Sequence, residues 1–292
     1  MSEPLLTIAH ILQRGFIQLN NSDSAKLDCE ILLLKVLNDE SEKHYTKTWL
    51  LTWPEKNLTS KQIQQFEHYL GLRSQGMPIA YITGTKDFWS FTLDVTSDTL
   101  IPRPETELLV ECALEKISAL DNQNILDLGT GSGAIALAIA SERSNANILA
   151  TDFSLQTLNI AEKNAARLKL SNVSFCQSHW FTNIPEQQFD VIVSNPPYIA
   201  ENDPLLEENV RRYEPLAALL SDKNGLADIS EIIKQSHDYL KPGGWLLFEH
   251  GYEQSESVQA LFKKMKFIKI NTLTDINRLP RVTFAQRALD AL

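Results

Sequence analysis

The stretch ILDLGTGSGAIALA, residues 125–138, decides the architecture of this chain. It opens on an apolar run interrupted only by Asp127, the pattern of a strand buried on both faces. Gly129, Gly131 and Gly133 break that run, and a helical pattern follows at once. Glycines between a strand and a helix let the backbone approach a ligand closely, and they leave the first helical N–H groups free to bind it. Nineteen residues beyond Gly133, Asp152 ends the next strand pattern. A carboxylate at that point can accept both ribose hydroxyls, so the expected ligand is a nucleoside compound.

The loop alone leaves two ligands open. Gly129-x-Gly131-x-x-Ala134 satisfies the relaxed dinucleotide fingerprint. Two details favour S-adenosylmethionine over NAD. Asp127 lies inside the motif, where it can reach the ligand's amino-acid end or brace the loop. The G-x-G-x-G spacing is compact enough for a ligand without a pyrophosphate. A bare strand–helix turn does not explain why three glycines, Asp127 and Asp152 fall in one βαβ unit.

Patterns on either side place this unit in a larger fold. Strands are expected at 124–128, 147–152, 172–177, 189–194 and 243–250. Helices are expected over GAIALAIASE, SLQTLNIAEKNAARLKL and LADISEIIKQSHDYL. Buried strands alternating with helices give a mostly parallel sheet covered on both faces. FIKINTL and RVTFAQRA, with no long helix between them, suggest an antiparallel pair at one edge. The expected class is α/β, a Rossmann-like, mostly parallel mixed sheet. Residues 1–78 read instead as a small helical bundle, with Asp23, Ser24 and Thr59 as candidate caps. Residues 79–100 change period and read as a β-hairpin linker, which leaves 101–292 as the catalytic domain.

The fourth expected strand ends in Ser194-Asn195-Pro196-Pro197-Tyr198. Two successive prolines cannot continue a ladder, because neither has a backbone N–H. At the carboxyl end of a strand beside the glycine loop, this clamp would face the ligand's reactive group. The Asn195 side-chain carbonyl and the Pro196 backbone carbonyl can each accept one N–H of a planar NH2. Pro196 and Pro197 hold the backbone still, and Tyr198 can stack on the planar group. Such positioning matters for a poor nucleophile: orientation is worth up to roughly 7–11 kcal/mol. The clamp therefore specifies methyl transfer to a planar NH2 more firmly than it specifies whose NH2 that is. A protein amide and the amino group of a nucleobase both qualify.

Bulk properties narrow the choice. Of 292 residues, 43% are hydrophobic and the net charge is −10. A protein that grips nucleic acid through many phosphates normally shows a basic face, and no basic arm is evident, so no direct nucleic-acid partner is expected. No run approaches the ~20 apolar residues of a membrane span. The N-terminus carries an early acid and no basic region of the kind that opens a signal peptide. Three scattered cysteines suit a reducing cytoplasm rather than a disulfide framework or metal centre. A cytoplasmic monomer without metal is expected.

Nearly the whole chain resembles the bacterial N5-glutamine methyltransferases that modify peptide chain release factors. The resemblance is carried by LDCEILLLKVL (27–37), by RSQGMPIAYITGTKDFWSFTLDV (73–95) and most specifically by LIPRPETELLVE (100–111). ILDLGTGSGAIALA, VSNPPYI, YEPLAALLSDKNGL (213–226) and LLFEHGYEQ (246–254) follow in the family's order. The resemblance implies a class I S-adenosylmethionine-dependent methyltransferase that releases S-adenosylhomocysteine. It implies that Gly129, Thr130, Gly131, Ser132, Gly133, Asp152, Trp180 and Asn195 contact the donor. It further implies that Asn195, Pro196, Pro197 and Tyr198 hold a glutamine of the release factor's Gly-Gly-Gln loop, with the helical domain contacting that partner elsewhere. His179 stands where the family often has an acid, and TDINRLPRVTF keeps Asp275 and Arg281 but lacks an expected glycine. A ribosomal-protein glutamine and a nucleobase amino group are the alternative acceptors; a non-catalytic module that keeps the fold is a reading from another class.

Other polar residues have structural readings. Pro104 and Glu105 suit the first turn of a helix. Arg103 and Glu107 are secondary candidates near the donor. Glu249 and His250 read as satisfied structural groups, Trp53 and Trp89 as core or interface material, and Lys263, Lys264 and Lys266 as a solvated face.

Overall fold

The computed structural model describes residues 6–20, 22–204 and 206–289. The reading of the first five residues lies outside them. The chain divides into two units, Met1–Gly84 and Thr85–Leu292.

The first unit contains helices α1 (Ile8–Gln18), α2 (Ala25–Asp39), α3 (Lys47–Thr52), α4 (Ser60–Ser74) and α5 (Ile79–Thr83). Thr59 opens α4 with a capping box: its hydroxyl accepts from the Gln62 N–H at 3.2 Å, and the Gln62 side chain accepts from the Thr59 N–H at 3.0 Å. Ile8, Ile11, Leu32, Leu33, Phe66 and Leu70 share one core. Arg73 Nε donates to Asp28 Oδ2 at 2.7 Å, tying α4 to α2 through a buried carboxylate. Trp53, read as core or interface material, is 44% exposed.

The hairpin expected over 79–100 is shorter than that. Residues 79–83 are helical, because Pro78 presets the entry and Gly84, left-handed at φ 77°, ends the turn. The Thr83 hydroxyl turns back to the Ile79 carbonyl at 3.0 Å, so a residue that reads as strand-forming serves the helix instead.

The second unit begins with the hairpin β1 (Thr85–Phe88) and β2 (Phe91–Asp94). A 3₁₀ turn at Pro104–Thr106 leads into α6 (Glu107–Lys116). Then follow β3 (Asn124–Leu128), α7 (Ala134–Glu142), β4 (Asn147–Asp152), α8 (Leu155–Leu168), β5 (Val173–Gln177) and β6 (Phe189–Ser194). Next come α9 (Glu208–Tyr213), a 3₁₀ turn at Leu216–Ala218, the short turn α10 (Asp222–Gly225), α11 (Ala227–Tyr239) and β7 (Leu240–Glu249). The unit ends with α12 (Ser255–Lys264), β8 (Ile268–Thr274) and β9 (Pro280–Gln286). The seven-stranded sheet runs β5-β4-β3-β6-β7-β9-β8. β3 to β7 are parallel and β9 is antiparallel to both neighbours.

The antiparallel pair at the edge is therefore present, with β9 inserted against β7. No helix separates β8 from β9, as expected, but the helix α12 that precedes them, between β7 and β8, was not expected from the sequence. Its apolar face buries Val258 and Phe262, while Lys263 and Lys264 are exposed in its last turn, where they complement the helix dipole.

Strand order reverses between β3 and β6, so the carboxyl ends of these neighbours form the switch-point crevice. Val191, Ile192 and Val193 on β6 are fully buried, with alternate side chains feeding cores on opposite faces of the sheet. Each such side chain contributes about 1.5–3 kcal/mol of burial. That burial fixes where β6 stops and where Asn195 begins.

Candidate active site

The glycine loop follows β3. Gly129, Gly131 and Gly133 all have positive φ, at 74°, 58° and 89°. The Gly129 and Thr130 N–H groups both donate to the Thr151 carbonyl, at 2.9 and 2.8 Å, and pull the loop onto β4. Beneath it, Asp127 accepts from the Thr130 hydroxyl at 2.7 Å. Burial pushes the Asp127 carboxyl up to about 7, against the opposing pull of that hydroxyl. Of the two roles open to Asp127, the structure supports bracing the loop.

Asp152 closes β4. Its Oδ2 accepts from the Gly131 N–H at 3.1 Å and its Oδ1 from the Ser154 N–H at 3.0 Å. Burial raises its pKa, and the backbone N–H groups of Ser154, Gly131 and Phe153 oppose that shift. The carboxylate thus orders the loop and retains lone pairs for a ligand. Trp180 sits at φ 46°, and its indole N–H donates to Asp228 Oδ1 at 3.1 Å. A Cβ built on Gly129 would lie 3.5 Å from the Trp180 ring, so the indole packs against the loop backbone.

These groups line a cavity of about 480 Å³ with Gly129, Gly131, Asp152, Trp180, Asn195 and Pro197 in its wall. That is within the ~300–1,000 Å³ range of small-molecule sites. Its walls also carry Asp98, Asp228 and His179, and no Lys or Arg among the described residues. This charge pattern separates the two ligands the loop motif leaves open. A pyrophosphate would meet three carboxylates and no fixed cation, whereas a positively charged nucleoside compound is matched by them. Thr130, Ser132 and Gly133 do not line the cavity. Thr130 faces Asp127, Ser132 is buried, and a Cβ on Gly133 would lie 2.9 Å from Leu137 Cδ1, so this glycine serves the packing of α7.

A second cavity, of about 960 Å³, opens beyond the clamp. Arg103, Pro196, Tyr198, Glu249, Gln254 and Arg281 are in its wall. Asn195 lines both cavities. Its Nδ2 donates to Thr106 Oγ1 at 3.3 Å, which turns the side-chain oxygen away from that hydroxyl. The Tyr198 hydroxyl donates to Glu249 Oε1 at 3.1 Å, and the Tyr198 carbonyl accepts from Gln254 Nε2 at 2.9 Å. Tyr198 is therefore held at both its ring and its backbone.

Several readings change here. Glu249 is not a fully satisfied structural group: it is buried and lines the second cavity, and its Oε2 has no partner of hydrogen-bond geometry. Burial raises its pKa, while the Thr106 and Tyr198 hydroxyls and Arg281 favour the charged form. His250 does fit the structural reading, with one ring nitrogen 2.8 Å from the Gly251 carbonyl and the other 2.7 Å from the Thr283 hydroxyl. Arg103 pairs with the buried Glu214 and faces the second cavity rather than the first. Glu107 accepts from the Trp89 N–H at 2.9 Å and so braces the hairpin turn away from both cavities. Sequence reasoning missed Thr106, Asp228 and Gln254 because their partners lie 89, 48 and 56 residues away.

Comparison with known proteins agrees with this architecture. Residues 119–285 match the family model of a methyltransferase domain, and residues 10–84 match that of the PrmC N-terminal domain. A release factor glutamine methyltransferase from Aliivibrio fischeri is 43% identical over 98% of this chain and 99% of its own length. Another, from Buchnera aphidicola, is 45% identical over 97% of this chain and 99% of its own. Among solved structures, a methyltransferase from Pyrococcus furiosus shares the fold, with a TM-score of 0.51 at 17% identity over 68% of this chain and 89% of that one. With both units matched by their family models and relatives this similar along nearly its whole length, the chain belongs to the release factor glutamine methyltransferase family.

Proposed function

We propose that the protein transfers a methyl group from S-adenosylmethionine to the side-chain amide nitrogen of the glutamine in the Gly-Gly-Gln loop of peptide chain release factors. The observation that carries this reading is the position of Asn195 in the wall between the two cavities. When bound in the first cavity, the donor supplies an electrophilic methyl group on a sulfonium centre. Asp152 takes the ribose hydroxyls, Trp180 covers the loop side, and the carboxylates of Asp98 and Asp228 favour a cationic ligand. The acceptor amide enters from the second cavity. The Asn195 side-chain oxygen and the Pro196 carbonyl each accept one of its N–H groups. This orients the nitrogen lone pair toward the first cavity and stabilises positive charge as it develops on nitrogen. The methylated nitrogen is acidic enough to lose its proton to water, so no dedicated base is required.

The rim of the second cavity is net acidic: Glu201, Asp203, Glu207, Asp222, Glu249 and Glu253 outnumber Arg103, Lys223 and Arg281. Such a rim repels a phosphate backbone, which favours a protein acceptor over a nucleic acid. We assign residues 1–78 to partner contact away from the reacting loop, with the protein acting as a cytoplasmic monomer. In the test, purified protein is incubated with isotope-labelled S-adenosylmethionine and a release factor, and the product peptides are sequenced by mass spectrometry. The label is expected on the Gly-Gly-Gln glutamine. Label absent from that glutamine, or found instead on a ribosomal protein or nucleic acid assayed side by side, would overturn the assignment.

Asp152→Ala is expected to weaken S-adenosylhomocysteine binding by roughly 10–100-fold. Hydrogen bonds to a charged group contribute about 1.5–3 kcal/mol, and the loop also loses its Gly131 anchor. Titration calorimetry measures this directly; an unchanged affinity would remove Asp152 from the ligand site.

A further inference from the structure

We propose that Ser221 and Asp228 are positioning residues that tie the acceptor clamp to the wall of the donor cavity, so that a bound donor strengthens binding of the acceptor. The proposal rests on the reading of the two cavities as donor and acceptor sites.

The tie begins at Asp228, the second residue of α11. One carboxylate carries two hydrogen bonds in different directions. Its Oδ1 accepts from the Trp180 indole N–H at 3.1 Å, and its Oδ2 accepts from the Ser221 hydroxyl at 2.5 Å. Asp228 and Trp180 line the first cavity and not the second, whereas Ser221 lines the second and not the first. The Ser221 hydroxyl also accepts from the Asp228 N–H at 3.2 Å, which satisfies a free donor in the first turn of α11. Capping accounts for that contact. It does not account for a carboxylate whose two oxygens hold the walls of two different cavities.

From Ser221 the tie continues through the backbone to the clamp. The Ser221 N–H donates to the Ile199 carbonyl and the Ile199 N–H to the Leu219 carbonyl, both at 2.9 Å. Residues 219–221 thus pair in parallel with Ile199, the residue after Tyr198. Leu220 lines the first cavity while Leu219 and Ser221 line the second, so this strip is part of the partition between them. Ser221 is buried, and the carboxylate of Asp228 takes its proton in place of water. At the far end, Trp180 holds a left-handed φ of 46°, which a non-glycine residue keeps only where its surroundings enforce it. The indole bond to Asp228 is one of the enforcing contacts. A donor packed against the indole restrains Trp180, Asp228, Ser221 and Ile199 in turn. The acceptor then meets a clamp that is already ordered, and its binding carries less of the ordering cost.

The test is the affinity of a release factor for the full-length protein, measured by calorimetry with and without saturating S-adenosylhomocysteine, in the wild type, Ser221→Ala and Trp180→Phe. In the wild type the nucleoside is expected to strengthen release factor binding by about tenfold, and the release factor to strengthen nucleoside binding by the same factor, as linkage requires. Ser221→Ala is expected to reduce both enhancements to within about twofold. Its affinity for S-adenosylhomocysteine alone, which also reports folding, should stay within about threefold, because the first cavity keeps its lining. Trp180→Phe removes the indole N–H and cuts the tie at its other end, so it should lose the enhancement as well. A serine with a merely structural role would weaken release factor binding equally with and without the nucleoside. That result, or a wild type without enhancement, would overturn the tie. If Ser221→Ala does not fold, Trp180→Phe decides. A wild type that does not bind the release factor would overturn both the tie and the functional reading. One that shows the enhancement but leaves the Gly-Gly-Gln glutamine unmethylated would overturn the functional reading and leave the tie standing.

Discussion

Replacing Asn195 with alanine is expected to reduce kcat by roughly a hundredfold to a thousandfold, the range seen when one preorganised polar group at a reacting centre is removed. The expectation comes from position. Asn195 lines both cavities, but the wall of the first is also built by Asp152, Trp180 and the glycine loop. Donor binding should therefore change by no more than a few-fold, while the acceptor loses the group that orients it. The methyl acceptor is a weak nucleophile, and its lone pair must be aimed before it reacts. Single-turnover kinetics with saturating S-adenosylmethionine, together with calorimetry of S-adenosylhomocysteine, separate the two effects. A variant with unchanged turnover would remove Asn195 from the chemistry. A variant that has lost both turnover and donor affinity would make it a ligand-binding residue first.

Gly225→Ala is expected to abolish measurable turnover and to lower the thermal midpoint. Gly225 sits at φ 81°, and a Cβ there would lie 2.0 Å from the Tyr198 carbonyl oxygen and 2.6 Å from Gln254 Nε2. Lys223 and Asn224 are also left-handed, at φ 54° and 58°, so α10 presses three consecutive residues of this kind toward the clamp. Each non-glycine residue so held costs of order 1–3 kcal/mol and persists only where its surroundings enforce it. Here the enforcing contacts are the hydrogen bonds from Gln254 to the Tyr198 carbonyl at 2.9 Å and to the Asn224 carbonyl at 3.2 Å. An added methyl group must displace the backbone that carries Pro197 and Tyr198. Gly243→Ala is the control. It has the same φ of 81°, but the nearest atom to its added Cβ is the tip of the exposed Leu289 at 3.2 Å. That variant should lose about 1 kcal/mol of stability and keep its turnover per folded molecule. Equal turnover in the two variants would show that the α10 contact does not position the clamp.

The strands were legible because their signal is local. Val191-Ile192-Val193 reads as buried on both faces, and the structure buries all three completely. The glycine loop and Asp152 were legible for the same reason: a strand–loop–helix unit brings Gly131 and Asp152 together within one βαβ step, at 3.1 Å. Short helices were not. Residues 79–83 carry β-branched and aromatic side chains, yet Pro78 and Gly84 bracket them into a turn. Serine, glutamate and lysine around Val258 and Phe262 masked α12, whose two buried residues have meaning only against α11 and the sheet they pack on.

By itself the sequence determined the alternation of buried strands and helices, the glycine loop with its carboxylate, and the polar clamp that ends β6. Each of these is a statement about neighbours in the chain. Only the tertiary structure decided that Asn195 stands between two cavities and that Asp98 and Asp228 make the first of them acidic. It also decided that Glu249 and Thr106 lie behind the clamp instead of in a structural background. The physical reason is the switch point. Parallel strands that are adjacent in space but 66 residues apart in the chain, as Leu128 and Ser194 are, bring together loops whose separation in sequence says nothing of their contact.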